Sequence, residues 1–427
     1  MVPITDHPLR YALANELHAR PFAALSAPCE AAYLAIKQPQ DAASRDRAQD
    51  RAHLIELLDR FGAQHPQPDA THYFGALGRY HLKWECHTEF VTYTIFADGV
   101  ADRPFDPSAF DVFPDDWLEK LPGQRVTSAL IRIEHQKESD EEIVQHFQDW
   151  FVPESLACSW VLDRSAIMAS DFRIDSAGHM RFALFVGPST GRRRIGRVVQ
   201  RICEIEIYKA MSMLGFERAR NMSGRMGDID AKLLSLVGEM GAEERPADET
   251  LHELLQISGE LEDMLAQSAF RFSATGAYEA LVHQRIEVLR EERFGGRQTF
   301  REFMMRRYDP SMRVVKSTTS RLNSMIERAT RAGELLRTQV DVARSAQNQA
   351  LLESMDRRAD LQLRLQHTVE GLSVVAISYY AVSLASYLFY PLTKVLALSK
   401  GELTALITLP VVLLVWMMVR RIRNSVH

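Results

Sequence analysis

The sequence predicts an α+β cytosolic domain with a mainly antiparallel sheet, then a helical region, a long stalk helix and a C-terminal two-helix transmembrane hairpin. Three observations predict it. Strand-period alternation is confined to the first half of the chain, helical pattern runs without proline from Ser311 to Tyr390, and two uncharged apolar runs lie near the carboxyl end.

In chain order, Leu9 to Leu17 predicts a short helix that Pro21 stops. Glu30 to Ile36 predicts a strand. Ala43 to Phe61 predicts an amphipathic helix with Leu54, Ile55, Leu57 and Leu58 on or near its apolar side. Tyr73 to Phe96 predicts two strands or one long bent one. Within it, Tyr80, Leu82, Trp84, Cys86 and Phe90 alternate with His81, Lys83, Glu85, His87 and Glu89, the pattern of a half-buried antiparallel strand. Ala129 to Glu134, Ser159 to Asp163 and Met180 to Val186 predict further strands, and Glu141 to Trp150 and Ile195 to Leu214 predict helices. Residues 1–214 therefore form the α+β domain.

Strand signals vanish over residues 215–310, where Ala231 to Glu239, Glu249 to Gln267 and Tyr278 to Arg293 predict helices. Gly241 to Asp248 is a polar linker and Gly295-Gly296 a break. Residues 311–370 form the stalk, continuous with the apolar run that follows; a helix of about 80 residues spans on the order of 120 Å. Leu322, Met325, Ala329, Ala332, Leu336, Ala343 and Ala350 give it a narrow stripe that needs neighbours or copies to pack against, so a homo-oligomer is expected.

Gly371 to Thr393 carries no charge over about 23 residues and Leu403 to Val419 none over about 17, both within the range that crosses a bilayer. Residues 394–402 form a short external turn containing Lys394, Lys400 and Glu402, and 420–427 a basic tail. Arg357, Arg358 and Arg364 before the runs, and Arg420, Arg421 and Arg423 after them, place both termini in the cytosol. Ser373, Tyr380, Ser383, Tyr387 and Tyr390 fall on one face of the first run, a stripe suited to lining a pore or to hydrogen bonding between helices.

Composition narrows the function classes. A net charge of −5 from 51 basic and 56 acidic side chains gives no global excess to recruit nucleic acid. Cys29, Cys86, Cys158 and Cys203 form no CxxC pair and suit free thiols in a reducing compartment. The first twenty residues lack the basic-then-apolar pattern of a signal peptide, which keeps the N-terminal domain in the cytosol. HExxH does not occur and no nucleophile–base pair is read from the sequence, so no enzyme class is supported and no cofactor is specified. Gly187-Pro188-Ser189-Thr190-Gly191 ahead of Arg192, Arg193 and Arg194 is a candidate anion site at a helix start, as are His18 and Arg20 in the compact segment ending at Phe22. His81, Glu85 and His87 are weak metal candidates, since same-face strand residues two apart lie about 7 Å from one another and Lys83 competes among them.

Several longer motifs resemble one family. They are Glu16-Leu17-His18-Ala19-Arg20-Pro21-Phe22, Trp84-Glu85 with His87-Thr88-Glu89-Phe90, Leu336-Arg337-Thr338, Gln347-Asn348, Ser354 to Arg358, and Thr368 to Tyr380. The chain resembles, over nearly its whole length, a bacterial family of membrane-anchored proteins catalogued as domain of unknown function three-four-two-two. The resemblance implies a bacterial inner-membrane protein and no activity. In architecture the chain is also similar to CorA-like magnesium channels. Those carry Gly-Met-Asn after a tyrosine at the end of the first span, whereas Tyr390 here is followed by Pro391-Leu392-Thr393. The expected function is a cytosolic binding, sensor or scaffold domain coupled by the stalk to the membrane hairpin; the alternative is an oligomeric cation channel lacking Gly-Met-Asn.

Overall fold

The computed structural model describes residues 4–11, 13–14, 22–39, 42–137, 139–242, 246–392 and 399–426. It divides into two compact units, Met1–Ala242 with His252–Ala332, and Glu243–Leu251 with Gly333–His427.

The first unit is built on a nine-stranded sheet. Its strands are β1 (Cys29–Lys37), β2 (His72–Leu77), β3 (Tyr80–Cys86), β4 (Val91–Asp98), β5 (Gln124–His135), β6 (Ala157–Val161), β7 (Ala166–Ser170), β8 (Met180–Val186) and β9 (Glu292–Arg293). They lie in the order β2-β3-β4-β1-β5-β8-β7-β6-β9. Every pairing is antiparallel except β5 with β8, so the sheet is mixed and mostly antiparallel. The predicted strand pair over Tyr73 to Phe96 is three strands, β2, β3 and β4. Glycine in the left-handed region at Gly78 turns the chain from β2 into β3.

Helices α1 (Arg47–Arg60), α2 (Asp115–Leu118) and α3 (Asp140–Trp150) cover one face. The core there joins Leu34, Trp84, Tyr93, Ile95 and Phe185 of the strands to Leu54, Leu57, Trp117 and Phe147 of these helices. Asp46 caps α1 and Ser139 caps α3, each accepting from a backbone amide of the first turn.

Helix α4 (Arg192–Ala242) covers the other face. This corrects the half-buried reading of β3. Lys83 is only 6% exposed, and its ammonium pairs with Glu85 at 3.2 Å and donates to Gln200 of α4 at 2.9 Å. A charge taken out of water needs such partners. Gly196 of α4 lets the segment before β1 approach closely: a Cβ there would sit 1.7 Å from the Ala23 carbonyl oxygen.

Helix α4 is one element of 51 residues, running across Leu214 without a break. It packs with α5 (Ala247–Glu287) and the first part of α7 (Asp309–Phe389), and α6 (Phe300–Arg307) intervenes. Asp230 of α4 binds Arg321 and Arg328 of α7, and Glu279 of α5 binds Lys316 of α7. Leu322, Met325, Ala329 and Ala332 of the predicted stripe are buried in this bundle.

In the second unit α7 continues to Phe389, and α8 spans Lys400–Val426. Leu336 is buried, whereas Ala343 and Ala350 are exposed. Both helices carry windows long and apolar enough to cross a membrane, and those windows are only 6% and 11% buried.

Candidate functional site

The turn from β3 to β4, residues 87–90, is held by one buried arginine. Arg45 precedes α1, and its side chain is 2% exposed. Its guanidinium donates to the carbonyl oxygens of Ala42 at 3.0 Å, His87 at 2.6 Å and Phe90 at 3.2 Å, and also to that of Thr88. It pairs with Asp50 of α1 at 2.8 Å. Five N–H groups in a fixed fork allow one side chain to satisfy this many acceptors.

Held this way, the turn directs Glu89 inward. The Glu89 carboxylate is 1% exposed; it pairs with Arg271 of α5 and accepts from the Tyr278 hydroxyl at 2.9 Å. The buried pair fastens the turn to α5.

Beside it opens a pocket of about 380 Å³, lined by Arg47, Thr71, Cys86, His87, Thr88, Phe90, Tyr208, Tyr278 and Leu281. The volume lies within the range of small-molecule sites. Rings form much of its wall. Tyr208 of α4 stacks on Tyr278 of α5 with centroids 5.7 Å apart and planes at 16°. Phe90 meets them at 6.4 and 6.3 Å, and His87 stacks on Phe90 at 4.4 Å.

Burial pushes the Cys86 thiol above its ordinary value, so it stays protonated and unreactive. Burial, reinforced by Glu89, likewise raises the Tyr278 phenol. Burial lowers Lys37, whose neighbours include Arg271, Glu89 and Arg45. Among the described residues, no group of three or more His, Cys, Asp or Glu side chains is placed to hold a metal ion. The weak metal candidates have other engagements. His81 is exposed and stacks on Phe74 at 6.0 Å, Glu85 pairs with Lys83, and His87 lies against Phe90 in the pocket wall. The exposed Arg47 in the lining suits a ligand that carries an anionic group.

The candidate anion residues lie elsewhere. Arg194 donates to the Ser165 hydroxyl at 2.8 Å, while Arg192 and Arg193 are exposed. His18 and Arg20 lie outside the described residues.

Of the polar stripe, Ser383, Tyr387 and Tyr390 line a second cavity of about 360 Å³, together with Tyr379, Val382, Ser386, Lys400 and Thr404. It lies between the end of α7 and the start of α8. Ser373 and Tyr380 are exposed away from it, Tyr380 by 68%.

Arg45, Tyr208, Arg271 and Tyr278 were not singled out by sequence pattern. They reach the turn from 42 to 189 residues away, and no local spacing signals them. The signal that did exist was the motif from Trp84 to Phe90, which supplies the turn itself.

One family model matches the chain, over residues 5–426: Protein of unknown function (DUF3422). No curated protein matches it.

Proposed function

The chain belongs to the DUF3422 family of proteins of unknown function, and from that premise we propose that it is an integral protein of a bacterial inner membrane. In this reading the α+β domain is a cytosolic binding module for sensing or scaffolding. Helix α7 couples it to a hairpin anchored in the bilayer, and both termini lie in the cytosol.

The observation that carries the reading is the bareness of the two apolar helices. Leu384, Leu388, Leu406 and Leu409 are 70–74% exposed. Apolar surface on this scale needs lipid or protein to cover it. The arginines that flank the pair, and the shortness of the connection, support the orientation. Alkaline phosphatase inserted into the connection is expected to be active, and green fluorescent protein fused after His427 to fluoresce. The reverse pattern would overturn the orientation.

Self-association of α7 belongs to the same reading. From Arg337 to Val369 all but one of its residues are exposed, with Leu351, Met355, Leu365 and Val369 bare among them. An isolated helix with such residues is not stable in water and gains by packing on a second copy, which a shared membrane would hold parallel to it. Crosslinking of a cysteine introduced at Leu351 tests this in membranes.

The ion-conducting alternative draws on the exposure of Tyr380 and Tyr387, which in a ring of copies would face a common axis. It requires cation flux in liposomes that changes with Tyr387→Ala or Ser383→Leu. Absence of flux for sodium, potassium and magnesium would remove it.

A further inference from the structure

We propose that the cavity between the end of α7 and the start of α8 holds the phosphate of one anionic phospholipid. The proposal rests on the bilayer-anchored reading and assigns that anchor a ligand.

Depth comes first. Tyr390 lies near the end of the first apolar run and Lys400 shortly before the second, so the cavity sits where hydrocarbon gives way to headgroups. Tyrosine and lysine favour that level. At about 360 Å³ the space equals roughly a dozen water volumes. A phosphodiester and part of its glycerol fit there, and the acyl chains do not. Those chains would run down the bare apolar surface of Leu384 and Leu388.

Chemistry comes second. The lining offers hydroxyl donors from Ser383, Ser386 and Tyr387, and the exposed Lys400 supplies a positive charge. The Ser386 hydroxyl is buried and has no hydrogen-bond partner among the described residues. A buried donor without an acceptor is costly, and a phosphodiester in the cavity that Ser386 lines would supply an acceptor. Among the described residues, no carboxylate lines the cavity. The nearest acid along α8, Glu402, already accepts from the Ser399 amide at 2.8 Å and its hydroxyl at 2.9 Å.

Selectivity follows from Lys400. A headgroup with its own ammonium would bring like charge against the lysine, whereas phosphatidylglycerol brings none. The apolar flank separates a lipid from free phosphate, which has nothing to bury there.

The test uses the full chain, reconstituted into nanodiscs of equal phosphatidylcholine and phosphatidylglycerol and then weighed by native mass spectrometry. Wild type is expected to retain phosphatidylglycerol in preference to phosphatidylcholine. Lys400→Gln should lower that retention about fivefold, the change that roughly 1 kcal/mol per interfacial basic residue produces. Ser386→Ala should lower it as well, and Lys400→Arg should preserve it. A control with Arg420→Gln and Arg421→Gln should leave it unchanged. Equal retention of the two lipids, equal losses in the Lys400→Gln and tail variants, or displacement by inorganic phosphate alone would overturn the proposal. A chain that never enters the discs sinks the anchoring reading and this one with it. A chain that enters them yet holds both lipids alike sinks this one alone.

Discussion

In the α+β domain charged groups are buried and paired; in the C-terminal pair of helices apolar groups are bare. Asp50, Lys83 and Glu89 are 2%, 6% and 1% exposed, and each has an ionic partner. Leu406 and Leu409 are 72% and 73% exposed. The first arrangement is what water selects: these charged groups leave it only with partners, beside a core built mainly of apolar and aromatic side chains. The second would be unfavourable in water and is favourable in hydrocarbon, where each helix satisfies its own backbone. One chain thus carries surfaces suited to two solvents.

The contrast can be broken most severely at Glu89. Glu89→Ala leaves Arg271, 17% exposed at its side chain, without its carboxylate and loosens the β3–β4 turn. Removing one partner of a buried pair costs about 3–5 kcal/mol. Urea unfolding of the detergent-solubilised protein, followed by tryptophan fluorescence, is expected to show a loss of that order. A loss under 1 kcal/mol would mean the pair does not hold the turn.

The two halves of the α7 stripe sharpen the comparison. Met325→Ala removes a fully buried side chain and is expected to cost about 2–5 kcal/mol in the same assay. Leu351→Ala removes one that is 58% exposed. It should leave domain stability within about 0.5 kcal/mol while weakening crosslinking between copies through a cysteine introduced at Met355 instead.

The smallest effect is a pH dependence. Burial holds the His53 imidazole below its ordinary value of 6.5, with its nitrogens 3.1 Å from the Tyr93 hydroxyl and from the Trp117 carbonyl. Burial lowers His179 as well, and the neighbouring Arg125 adds to that. In both, the unfolded chain binds the proton more readily than the folded one. Stability should therefore be full above pH 6.5 and fall as the pH drops below it, by no more than about 1.4 kcal/mol per pH unit for each histidine. His53 stacks on Trp117 at 3.9 Å, so tryptophan emission reports it directly. His53→Gln should flatten the slope; an unchanged slope would assign the effect to other groups.

Much of the fold was legible where local pattern and tertiary environment agree. β8 was read with its observed bounds, Met180 to Val186, because an apolar run stands between turns. β7 was missed because Ala166 to Ser170 is buried at all five positions and has no alternation to read. β9, at two residues, has no pattern. Helix α4 was expected to end near Leu214, just before Gly215. That glycine serves packing instead: a Cβ there would lie 2.0 Å from the Thr275 hydroxyl, and the close approach of α5 supports the helix where propensity does not. The candidate pocket was half visible. Its turn lies in a single motif, but Arg45 and the Tyr208–Tyr278 wall come from distant helices, and no residue spacing encodes which helix covers which strand. The polar face of β3 departs from the half-buried expectation for the same reason, since nothing in the alternation of His81 to Glu89 announces the cover of α4.

Membrane anchoring is tested most directly by sedimentation of the full-length protein after an alkaline carbonate wash. The protein is expected in the pellet, released only by detergent, and a variant truncated after Glu370 is expected in the supernatant. Recovery of the intact chain in the supernatant without detergent would contradict the anchor.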